Sequence, residues 1–107
     1  MKVSILGTEY DLIEVEKYDP RIEEMDGLCL FYDKVIYIKK EYFEDDKMAT
    51  QSCKQERKKF AKRHEIIHAF WNESGLRESP VNEEWAVSLL ATQFEKMLKA
   101  FQEVKAI

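Results

Sequence analysis

From about Lys47 to Ser74 no residue breaks a helix, and Gly75 stands where such a helix would stop, at its C-cap. An unbroken stretch of this length has to be the spine of a chain of 107 residues. Glu44-Asp45-Asp46 supplies negative charge suited to the positive end of its dipole. The stretch from Thr50 to Lys59 is almost wholly polar and is expected in solvent. From Phe60 the pattern changes. Phe60, His64, Ile67, His68 and Trp71 share one stripe, while Ile66 and Phe70 fall on another side, so this half is expected to be buried on more than one face.

Within that half lies His64-Glu65-Ile66-Ile67-His68, an H-E-x-x-H run containing both histidines of the chain. Residues four apart on a helix differ by about 40° around the axis and one turn along it. The two imidazoles therefore share a face and are spaced to chelate one ion. Glu65, about 100° round from His64, can reach a water on that ion without ligating it. Zn2+ suits two neutral imidazoles, needs at least one more protein ligand, and keeps an open position for water when it is catalytic.

The sequence before the spine reads as β-structure. Val3 to Leu6 is a short apolar run, and Gly7-Thr8 is suited to a two-residue turn. Tyr10, Leu12, Ile13 and Val15 follow, with a phase slip at Leu12-Ile13 that would suit a bulge or a strand end. Tyr18-Asp19-Pro20 breaks the segment, and residues 21 to 26 are polar, for a loop or one helical turn. After the turn signal Asp26-Gly27, Leu28 to Tyr32 and Val35 to Ile38 read as a hairpin joined through Asp33-Lys34. Beyond the spine, Ser79-Pro80 resembles an N-cap followed by Pro at the first helical position. The second helix then carries Val87, Leu90, Phe94, Leu98 and Phe101 on one stripe. No repeat or linker divides the chain, so one domain over 1–107 is expected, of class α+β: a small antiparallel or mixed sheet followed by two helices.

The second helix offers the third ligand. Glu83 lies four residues before Val87, in line with the buried stripe, where a carboxylate is costly unless something pairs with it. Glu84 lies about 100° away and reads as a solvent residue. Glu83 is therefore the first choice and Glu84 the alternative, because helix phase is loosely set near an N-terminus. Cys53 precedes His64 by about 16 Å along the helix axis, too far to share the ion. Spacing leaves Cys29 open.

Bulk properties exclude other classes. A net charge of −4 argues against a protein whose main work is binding nucleic acid. The basic run Lys54 to Lys59 with Lys62-Arg63 reads first as a solvated helix face. No apolar run approaches a membrane span, and the first residues have no sustained apolar stretch of the kind a secretory leader carries. Two distant cysteines are expected as free thiols in a reducing cytoplasm.

His64-Glu65-Ile66-Ile67-His68-Ala69-Phe70 together with Glu83-Glu84-Trp85-Ala86 resembles a minimal gluzincin metallopeptidase, near the small phage- and mobile-element-associated proteins of the ImmA/IrrE-like group. The resemblance covers about Asp26 to Phe94. It implies a zincin-like fold, with His64, His68 and Glu83 as zinc ligands and Glu65 as general base. It also implies a regulator protein as the substrate. Position 87 is Val where related motifs often have Asp or Asn. Three functions follow as expectations: a zinc-dependent peptidase cutting a protein or peptide, a zinc-stabilised interaction module without turnover, and a nucleic-acid accessory protein using the basic helix. For the peptidase, Val35 to Ile38 is the strand nearest in sequence to the spine and the expected edge for an extended peptide. The tyrosines are the candidates by type for oxyanion stabilisation.

Overall fold

A computed structural model describes all 107 residues. In chain order it has β1 (Lys2–Ile5), β2 (Thr8–Val15), β3 (Gly27–Leu30), β4 (Val35–Lys39), α1 (Gln51–Glu73), a single 3-10 turn (Leu76–Glu78) and α2 (Glu83–Glu103). The four strands form one mixed sheet, and the helices follow it, as the α+β reading expects.

The first hairpin turns through Leu6-Gly7, with Ile5 opposite Thr8. Its two central residues have φ of 49° and 86°, the left-handed pair that a type I′ turn demands. The turn therefore lies one residue earlier than Gly7-Thr8, with Gly at its second position. The slip at Leu12-Ile13 is not a bulge, since β2 pairs with β4 without interruption from Asp11 to Val15. Instead β2 is buried on both faces: Tyr10 and Leu12 on one, Val15 on the other.

The strand order is β1-β2-β4-β3. The chain leaves β2, skips one strand position through residues 16–26, runs back as β3, and returns as β4 in the gap. β4 is thus parallel to β2 and antiparallel to β3. Ile22, in a mostly polar stretch, is fully buried and anchors this crossing. Tyr42 secures its far end, donating to the Asp26 carbonyl at 2.6 Å. The Asp26 carboxylate takes Lys39 at 3.2 Å and is also paired with Arg57 of α1. Burial pushes the Asp26 pKa upward, but these two cations outweigh it and hold the carboxyl below its usual range.

Thr50 caps α1, its hydroxyl accepting from the Cys53 N–H at 3.1 Å. The helix starts there and not at the acidic cluster. Asp46 instead accepts from Met48 N–H at 2.9 Å, and Asp45 pairs with Lys17. At the other end Gly75 takes φ 84° just beyond the C-cap Ser74, as its position predicts. α2 also starts later than Ser79-Pro80 suggests. Ser79 closes a turn onto Val81 N–H, and Asn82 is the N-cap, accepting from Trp85 N–H at 2.8 Å.

The core joins Ile5, Tyr10, Leu12, Ile36 and Ile38 of the sheet to Ala69 of α1. The buried line of α1 is Ala61, Glu65, His68 and Ala69, so the helix meets the sheet through small residues and through its chemistry-bearing ones. Glu73 ties the helix end down. Its carboxylate accepts from Tyr10 Oη at 2.7 Å, Lys34 Nζ at 2.6 Å and Thr8 Oγ1 at 3.2 Å. On α2 only Val87 and Ala91 are fully buried, and Phe94 and Phe101 of the predicted stripe are exposed. No helix is long and apolar enough to cross a membrane.

Candidate metal centre

α1 presents His64 and His68 on the face turned to α2, and their Nε2 atoms stand 3.2 Å apart. Two nitrogens that close share either a proton or a cation. Ligands of a tetrahedral zinc ion are separated by roughly 3.3 Å, given metal–nitrogen bonds of about 2.05 Å. The observed spacing matches that edge. The rings meet nearly edge-on, at 67° with centroids 4.9 Å apart, so both nitrogens point into a common space.

The first turn of α2 brings two carboxylates to this pair. Glu84 reaches both Nε2 atoms, with Oε1 2.9 Å from His68 and Oε2 3.6 Å from His64. His64, His68 and Glu84 each offer a donor atom within 4.8 Å of the others, and they form the one such group in the molecule. Glu83 approaches from behind, its Oε2 3.5 Å from the other ring nitrogen of His68, Nδ1. The order expected from the sequence is therefore exchanged: Glu84, not Glu83, shares the space in front of the imidazoles. The phase argument ranked burial correctly, since the Glu83 side chain is 35% exposed and that of Glu84 68%. It does not place the Nε2 atoms, which the more exposed residue reaches. Cys29, left open by spacing, lies on the cleft wall outside the donor group. Burial first, then the charges of Glu65 and Glu83, push its thiol up to about 12, so it is protonated at neutral pH.

Two buried polar atoms here have no protein partner: His64 Nδ1 and Glu83 Oε1. Burial, then His68, lowers the His64 pKa below the usual imidazole value against the pull of Glu84, favouring the neutral ring that a metal requires. Two imidazoles and a carboxylate make a donor set suited to zinc.

Glu65 is 6% exposed and takes no hydrogen bond from any protein group, and its carboxylate lines the same cleft as the histidines. Burial, then the negative charge of Glu84, raises its pKa to about 7. It packs against Gly27 so closely that a Cβ there would lie 2.9 Å from Glu65 Cγ and 3.2 Å from the Tyr37 carbonyl oxygen. Neither the glycine's role nor this contact was visible in the motif, since it joins residues of distant elements.

The cleft holds about 660 Å³, and all four residues of β3 line it. Since β4 lies between β2 and β3, the strand with an unpaired edge at the cleft is β3, not Val35 to Ile38. Tyr32 is the one tyrosine on the cleft wall. The basic run of α1 is largely engaged elsewhere. Arg57 pairs with Asp26, Lys58 with Glu14, Lys59 with Glu56, and Arg63 with Glu95. No family model, curated protein or solved structure matches the chain.

Proposed function

We propose that this chain is a zinc-dependent peptidase whose ion is held by His64, His68 and Glu84. The convergence of these three donors beside a buried, unpartnered Glu65 is the observation that carries the reading. When bound, zinc supplies Lewis acidity toward a carbonyl and lowers the pKa of water. The protein supplies the rest. Glu83 Oε2 stands 3.5 Å from His68 Nδ1, where a hydrogen bond from Nδ1–H would leave Nε2 free to ligate. Glu65 takes a proton from the attacking water at its carboxylate and returns it to the leaving amine. A carboxyl held near neutrality by burial is matched to both halves of that transfer. The free edge of β3 accepts an extended peptide by main-chain hydrogen bonds and carries it across the cleft. The half-buried thiol of Cys29 and the exposed one of Cys53 are unpaired, which suits a reducing compartment such as the cytoplasm.

Metal analysis of the purified protein beside His68→Ala tests the site. One zinc per wild-type chain and none in the variant is expected. Incubation with an unfolded protein substrate tests the reaction. Cleavage by the zinc-loaded wild type, lost in a Glu65→Gln variant that keeps its metal, is expected. A wild type that stays metal-free after zinc addition sinks the site. A loaded wild type that cuts no unfolded substrate sinks the activity and leaves a zinc-stabilised interaction module.

A further inference from the structure

α2 carries more apolar surface than its own chain covers. Val87, Leu90, Phe94, Met97 and Phe101, with Val104 at the C-cap, follow one another at alternating steps of three and four, the seam of a coiled coil. The chain covers only the start of that seam. Val87 is fully buried and Leu90 partly so, while Phe94 is 48%, Met97 36%, Phe101 44% and Val104 73% exposed. No charge interrupts the exposed part: Glu95, Lys96, Lys99 and Glu103 all fall on the opposite side of the helix. The flanking positions within the helix are Ala91, Gln93, Leu98 and Ala100, which carry no charge.

Two global measures agree. The surface is 7581 Å², where a folded monomer of this mass exposes about 6,300 Å². The radius of gyration is 15.0 Å, against about 13 Å for a compact domain of this length. The surplus of roughly 1,300 Å² is more than the ~800 Å² that each partner contributes to a standard stable interface.

We infer that the second half of α2 pairs with the same segment of a second copy of this chain, in antiparallel orientation, to form a homodimer. An uncharged apolar seam is its own complement under a two-fold axis, with Phe94 of one copy against Val104 of the other and Met97 against Phe101. Antiparallel pairing lays the helix dipoles side by side in opposite directions and places the two sheet-bearing bodies at opposite ends. The metal centre lies on the first turn of α2, outside the overlap, so each copy keeps its own site and the inference does not depend on the proposed activity.

Sedimentation equilibrium of the full chain, with and without zinc, is the test. The wild type is expected to move from 12.8 kDa toward twice that mass across the micromolar range. Phe101→Lys is expected to weaken association at least roughly 30-fold. Val104→Lys, at the most exposed position of the seam, is expected to weaken it while leaving the circular dichroism spectrum unchanged. This second variant decides the matter if Phe101→Lys fails to fold. A wild type that remains at 12.8 kDa at several hundred micromolar overturns the inference, as does a dimer indifferent to Val104→Lys. So does a monomer that instead binds anionic phospholipid vesicles through this face.

Discussion

Glu65 and Glu73 lie eight residues apart on α1, and both side chains are largely withdrawn from solvent. The chain treats them in opposite ways. Glu73 is met by Tyr10, Lys34 and Thr8, and the hydrogen bond from Lys34, then that from Tyr10, holds its carboxyl below the usual range. Glu65 is met by no donor, and burial raises it to about 7. One is a permanent anion used as a fastener between helix and sheet. The other is left without compensation, a state that costs stability and is retained where chemistry needs a movable proton.

Exchanging each glutamate for glutamine breaks that contrast most directly. Glu65→Gln is expected to lower peptide cleavage by about 10²- to 10⁴-fold. Its melting temperature should match or exceed that of the wild type, because an unfavourable buried acid is replaced by a neutral isostere. Loss of both activity and fold would erase the distinction. The carboxylates proposed to hold and orient the ion give the next largest effect. Glu83→Gln is expected to weaken zinc affinity by about 10- to 100-fold, the usual scale for a group that orients a ligand. Glu84→Gln should weaken it further, and competitive chelator titration ranks the two. The reverse ranking would restore Glu83 as the third ligand.

Gly27→Ala presses a methyl group onto the Glu65 stem and the Tyr37 carbonyl. A stability loss of about 1–3 kcal/mol by chemical denaturation is expected, together with reduced cleavage. Glu73→Gln should do the converse of Glu65→Gln: melting a few degrees lower, with cleavage retained wherever the protein is folded. Its acid response sharpens the point. A depressed carboxyl contributes stability that is fully present above the unfolded pKa of about 4.3 and is lost as pH falls through the lower folded value. Melting temperature measured below pH 4.3 should therefore fall less steeply in Glu73→Gln than in the wild type. A third glutamate of α1 supplies the baseline. Glu56 makes only an exposed pair with Lys59 at 3.5 Å, and Glu56→Ala should change stability by no more than about 0.5 kcal/mol.

Local features of the fold were legible in the sequence. The two helices, the Gly75 stop and the β3–β4 hairpin follow from periodicity and turn residues, which act over a few positions. Helix starts were misread where two candidates competed. Thr50 and Asn82 win over the acidic cluster and Ser79-Pro80 because their side chains bond a free N–H of the first turn. What sequence order concealed is long-range. The insertion of β4 between β2 and β3 decides which strand edge is free, and nothing in Val35 to Ile38 or Gly27 to Leu30 announces it. The same holds for the site. The histidine spacing was readable because one helix sets it, whereas the choice between Glu83 and Glu84 depends on how two helices cross.

The contact at Gly27 has a practical consequence for reading related chains. A single methyl at that position would press on the Glu65 side chain, the general base of the proposed reaction, while every residue of the H-E-x-x-H run stays in place. Motif searches alone would count such a chain among the hydrolases. A chain of this architecture with a side chain at the start of its edge strand should be sorted instead with proteins that have kept the ion and given up turnover.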